Sequence, residues 1–156
     1  MLREALCALG LACGGVQPDV SGFTIMNLLA ETRGAQASAV PALGALYEQV
    51  IVSHPQNTRY VADLWRDGQP YAALACFDGD FAQRCVFSYW DDGARVEGFL
   101  GQAAQWVETE VGTLERSHDP DGLGQWSAAD ATRQVTLKRP AEGAEAQADV
   151  VFAWRN

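Results

Sequence analysis

The residues of this chain best suited to chemistry are two histidines, four cysteines and a surplus of carboxylates. Ser53-His54 offers a nucleophile beside a base, but adjacent side chains cannot aim at each other as a catalytic pair must. No G-x-S-x-G elbow accompanies them, and Ser53-His54-Pro55 reads as a turn. The stretch SHDPDGLGQWSA has the look of a calcium loop around Asp119, Asp121 and Gly122. Aligned on that glycine, its last position is Ala128, where a bidentate Glu is required. Asp-Pro-Asp-Gly is more simply a tight turn between strands. A zinc site fails on spacing, because the cysteines form no C-x2-C pair and His54 and His118 lie far off in sequence. On these grounds no catalytic residue, metal site or cofactor is assigned.

Two of the cysteines have a plainer use. Cys76 and Cys85 sit in YAALACFDGDFAQRCVFSYW, two apolar runs around the turn-forming cluster Asp78-Gly79-Asp80. If that hairpin closes symmetrically, Phe77 pairs with Arg84 and Cys76 lies directly opposite Cys85. Opposed Cβ atoms stand about 4.5–5.5 Å apart, a small adjustment from the ~3.8 Å of a disulfide. Cross-linking so short a loop contributes roughly 2–3 kcal/mol. The alternative is four buried, reduced thiols in a cytoplasmic protein.

The remaining cysteines, Cys7 and Cys13, lie in MLREALCALGLACGGVQPD. Arg3 and the amino terminus supply positive charge, and Ala5 to Ala12 form an apolar run of the kind an export signal carries. Leu11-Ala12-Cys13 resembles the lipobox of bacterial exported lipoproteins, with Gly14-Gly15 as a flexible tether behind it. Gly10 and Leu11 depart from the usual residues, and the resemblance covers only about fifteen positions. It implies a signal at 1–12, a tether at 13–20, lipidation of Cys13 and one domain at 21–156. It also implies an exported location, on the outer face of the cytoplasmic membrane or in the outer membrane. Cys7 would leave with the signal, so that the Cys76–Cys85 pair accounts for the rest. The competing reading is an N-terminal helix with Leu2, Leu6, Leu9 and Cys13 near one face, ended by Gly14-Gly15, in a cytoplasmic protein.

Composition narrows the partners. Apolar residues make up 48% of the chain and charged residues 20%, which describes a globular domain. The formal charge of −9 repels phosphate backbones, so nucleic acid is not an expected partner. Any membrane link is expected through a lipid anchor, since no stretch reaches the ~18 apolar residues of a spanning helix.

The elements that must position these residues are mostly strands. NTRYVADLWRDGQPYAALACF is two strand-like runs around Asp67-Gly68, the dipeptide of a type I′ hairpin. That turn pairs Leu64 with Tyr71 and Val61 with Leu74, and the next hairpin pairs Tyr71 with Trp90 and Leu74 with Phe87. Both faces then carry bulk, so each should be covered. RQVTLKRP and ADVVFAWRN read as closing strands. PALGALYEQVIVS reads as a helix, with Pro41 in its first turn and Leu43, Leu46, Tyr47 and Val50 on one face. Residues 94–116 are divided: Val96, Phe99, Leu100, Ala103, Val107 and Val111 make a helical stripe, whereas Gly98, Gly101 and the alternation from Val107 to Thr113 favour strands, at least from Trp106 to Arg116.

The expected fold is therefore mostly β, an antiparallel meander barrel or sandwich with one or two helices. The alternative is α+β with helices near 41–52 and 95–111. Tyr60, Leu64, Tyr71 and Trp90 are expected to share a face beside the small residues Ala72, Ala73 and Ala75, which can leave a ligand cavity. The functional expectation is a lipid-anchored, non-catalytic envelope domain binding a protein partner or a small apolar ligand. An unrecognised hydrolase or metal-dependent enzyme is the alternative.

Overall fold

The computed structural model describes residues 20–78, 83–118, 124–139 and 146–155. The export segment, Cys13 and most of the tether lie outside the described residues, as do Asp119, Asp121 and Gly122. The described residues fold as one antiparallel sheet of eight strands with three helices. The strands are β1 (Gln49–Ser53), β2 (Tyr60–Arg66), β3 (Gln69–Phe77), β4 (Gln83–Asp91), β5 (Glu115–His118), β6 (Gly124–Ala129), β7 (Arg133–Arg139) and β8 (Ala146–Trp154). The helices are α1 (Gly22–Thr32), α2 (Gln36–Gly44) and α3 (Gly93–Glu110).

The sheet order is β1-β2-β3-β4-β8-β7-β6-β5. It reads the same from either edge: two four-stranded meanders, each preceded by helix, meet where β4 pairs with β8. The sequence shows no internal repeat, yet the topology has one. The sheet stays open, so the antiparallel meander with helices is observed and closure into a barrel is not.

The three described helices lie on one face. Tyr60, Leu64, Leu74, Phe87, Val135, Val150 and Phe152 point from the strands into a core shared with Ile25, Met26 and Leu29 of α1, Leu43 of α2 and Val96 and Val107 of α3. The helices α1 and α3 cross closely at Gly22, where a Cβ would stand 2.5 Å from the Phe99 carbonyl oxygen. Gly22 N–H donates to Gln102 Oε1 at 2.7 Å, and Trp106 Nε1–H donates to Asn27 Oδ1 at 2.8 Å.

Three expectations are corrected. Residues 94–110 are helical. Val96, Phe99, Leu100, Ala103, Trp106 and Val107 are buried, whereas Gly98 and Gly101 face outward with nothing near a would-be Cβ. The glycines cost about 1 kcal/mol each, less than burying those large side chains at about 1.5–3 kcal/mol each. Asp92 caps the helix by accepting from Arg95 N–H. The expected helix at 41–52 is also displaced. Pro41 sits late in α2 and not in its first turn, and Val50-Ile51-Val52 forms a strand, as a β-branched run prefers. The third correction is register. Cys76 faces Cys85 and Leu74 faces Phe87 as expected. A bulge at Leu64/Trp65, however, makes Leu64 pair with Ala72 and Val61 with Ala75. The turn at Asp67-Gly68 still pairs Arg66 with Gln69, so the extra residue is Tyr71.

Candidate functional site

The bulge divides the residues expected to form a ligand pocket. Tyr60 and Leu64 are fully buried beneath the helices. Tyr71 stands at the bulge, its ring 5.8 Å from the Arg66 guanidinium carbon, which also lies 5.5 Å from the Tyr47 ring. Trp90 alternates with buried Tyr89 and so belongs to the opposite face, where its Nε1–H donates to the Pro70 carbonyl at 3.0 Å. The four therefore line no common cavity.

Tyr60 has a structural task instead. Its hydroxyl donates to the Gly34 carbonyl at 2.6 Å, and burial pushes its pKa up, against a smaller lowering by the Arg59 charge. Gly34, at φ +69°, sits directly on the Cys76–Cys85 disulfide. A Cβ on Gly34 would overlap Cys85 Sγ and stand 3.0 Å from Cys76 Sγ. Both cysteines are fully buried, with Cα atoms 4.1 Å apart. The disulfide thus forms the floor on which the α1–α2 corner rests.

The face opposite the described helices is where the two halves of the sheet diverge. The strand pairings define continuous rows across it. One runs Ser53, Val61, Ala75, Val86, Val151, Thr136, Ser127, Glu115, and the next runs Ile51, Asp63, Ala73, Ser88, Asp149, Lys138, Gln125, Ser117. Trp65 and Trp90 flank these rows at one end, and Phe77, beneath the Arg84 guanidinium at 5.0 Å, closes the other. On β1–β4 the face is therefore aromatic and aliphatic around small Ala73, Ala75 and Ser88. On β5–β7 it is polar, with Ser127 and Thr136 hydroxyls 3.1 Å apart. No described helix covers either part.

The sequence contained a partial signal for this strip. In YVADLWR the set Tyr60-Ala62-Leu64 is apolar and the other set carries Val61 and Trp65 around Asp63, which marks a strand with two demanding faces. What it concealed was which set faced the core.

Potential chemistry elsewhere is spent on structure. A cleft of about 190 Å³ opens between Ser21, Tyr89, Arg95, Phe99 and Gln102. Beside it Asp91 accepts from Tyr89 Oη at 2.8 Å and from Asp92 N–H at 2.8 Å, and lies 3.6 Å from Arg95. These groups build the N-terminal cap of α3, where the helix dipole favours carboxylates. His54 is exposed, with Nε2 3.3 Å from Gln36 Oε1. Among the described residues no three His, Cys, Asp or Glu side chains gather as a metal site would require, and no helix is long and apolar enough to cross a membrane. No family model, curated protein or solved structure matches this chain, so its function is read from this geometry.

Proposed function

We propose that the chain is an exported, non-catalytic domain, lipid-anchored through Cys13, that binds a protein partner on the helix-free face of β1–β4. The observation that carries the reading is the aromatic and aliphatic strip around Trp65, Trp90, Val61 and Val86, which no described helix covers while its counterpart on β5–β7 is polar. Val61, Trp65, Val86 and Trp90 are half-buried and Ile51 is exposed beside them, and an apolar strip rimmed by polar residues marks an interaction surface. Asp63, within the strip, favours a partner with a basic group at its centre. A protein partner is preferred to a small ligand because the strip lies along an open sheet face, whereas small-molecule sites are concave. The buried disulfide supports export, since such bonds persist in oxidising compartments.

Two experiments test the halves of this proposal. The mature protein should begin at an acylated Cys13 and leave the membrane fraction in the Cys13→Ser variant. Recovery from the cytosol with Met1 intact would end the anchoring reading. A photo-crosslinking side chain at Ser88 should yield one discrete protein adduct in the native host, and the same group at Gln125 none. Equal labelling at both positions, or at neither, would sink the docking face.

A further inference from the structure

We propose that β1 is a self-pairing edge, through which two copies of this chain join antiparallel into one continuous sheet. Edge strands present alternate backbone N–H and C=O groups to any strand that approaches, and most proteins defend them with charge, proline or shortness. The edge at β5 is defended: it is Glu115–His118, four residues with an acid and a base at its start. The edge at β1 is not. Its five residues, QVIVS, contain no charge and no proline, and Ile51 is 42% exposed.

The partner follows from the order of those residues. A two-fold interface requires that residue i meet j and j meet i, and Gln-Val-Ile-Val-Ser reads nearly the same in both directions. Centring the axis on Ile51 sets Ile51 against itself, Val50 against Val52 and Gln49 against Ser53. One step further out Glu48 meets His54, an acid against an imidazole. Its own carboxylate is drawn back, accepting from Asp67 N–H at 2.9 Å.

Charge favours the same edge. A chain of net charge −9 repels its own copies, yet from Gly34 to Thr58 the one formal charge is Glu48. This segment comprises α2 and β1, so the uncharged region and the unguarded edge coincide. Asp63, next to Ile51, would lie three strand spacings from its counterpart, roughly 14 Å, beyond the ~10 Å range of unscreened repulsion. Pairing would also fuse the two apolar strips at Ile51 into one face.

Cysteine cross-linking of the full chain tests the register. Under copper–phenanthroline oxidation Ile51→Cys should run mostly at twice the monomer mass, because each thiol faces its own symmetry mate. Gln49→Cys alone should not, since four residues of strand, roughly 14 Å, separate the two thiols. Gln49→Cys combined with Ser53→Cys should recover the dimer. Light scattering of the purified full chain should show a dimer that Ile51→Lys converts to monomer, with circular dichroism confirming that the variant is folded. A monomeric wild type at high micromolar concentration would overturn the proposal, leaving β1 to some other extended segment. So would cross-linking of Gln49→Cys as efficient as that of Ile51→Cys.

Discussion

The two halves of the sheet share one plan and differ in what they do with it. In β1–β4 the inner face is pinned by a disulfide on which a glycine corner sits, and the outer face carries aromatic and aliphatic side chains around Asp63, with an uncharged edge. In β5–β8 the inner face is held by aromatic packing, with Phe152 stacked 4.7 Å from Trp154 and edge-on 5.8 Å from Trp106. Its outer face is polar, and Arg133 ties the end of α3 to the sheet, donating to the Glu110 carbonyl at 2.8 Å and to Asp130 Oδ2 at 2.8 Å. The difference teaches where function can be afforded. A half that exposes apolar surface gains little stability from that surface, and a covalent cross-link in its core offsets the loss.

The sharpest way to break the comparison is Gly34→Ala. It combines a strained positive φ, costing about 1 kcal/mol or more, with overpacking against the disulfide, costing about 1–3 kcal/mol. Urea unfolding should show a loss of about 3 kcal/mol, and a loss below about 1 kcal/mol would refute the seating of this corner. Removing the cross-link by Cys76→Ala with Cys85→Ala should cost about 2.5 kcal/mol for a sequence separation of 9, again by urea unfolding.

Trp65→Ala should weaken partner capture by at least tenfold while Gln125→Ala leaves it unchanged, as hot-spot aromatics and peripheral polar residues differ. Quantitative adduct yield from Ser88 reads the contrast. Tyr60→Phe should cost about 1–2 kcal/mol in thermal unfolding, because the buried Gly34 carbonyl loses its donor.

The smallest effect belongs to the other half. Burial raises the Asp130 pKa, but hydrogen bonds from Thr132 N–H and from the Arg133 side chain and N–H, with the guanidinium charge, outweigh it and hold the carboxyl below its ordinary value. A depressed folded pKa adds stability above the unfolded value near 3.9, and that stability is lost as pH falls through the lower folded value. Asp130→Asn should therefore lower stability by at most about 1 kcal/mol at neutral pH and converge with the wild type in strong acid. Parallel melting curves from pH 7 to roughly pH 2 would check the sign.

Local chemistry was legible wherever it was self-contained. The Cys76–Cys85 register needed only a short symmetric turn, and the strands at 133–139 and 146–154 needed only alternation of burial. The helix at 93–110 was written in its apolar stripe, but two glycines weighed against it until the structure placed both on the solvent side. The candidate site suffered most. Tyr60, Leu64, Tyr71 and Trp90 share a face only if the first hairpin is regular, and one extra residue at Tyr71 inverts that assignment. Of the four, only Trp90 belongs to the apolar strip.

The sequence by itself pointed to a mostly β domain and set Cys76 opposite Cys85, since both follow from residue alternation and short-range spacing. Only the tertiary structure decided that the helices gather on one face, that the two meanders meet at β4 and β8, and which face was left open. Those outcomes depend on contacts between residues such as Gly34 and Cys85, or Asn27 and Trp106, that are distant in the chain. No local propensity encodes them, because their energy appears only after the intervening elements have packed.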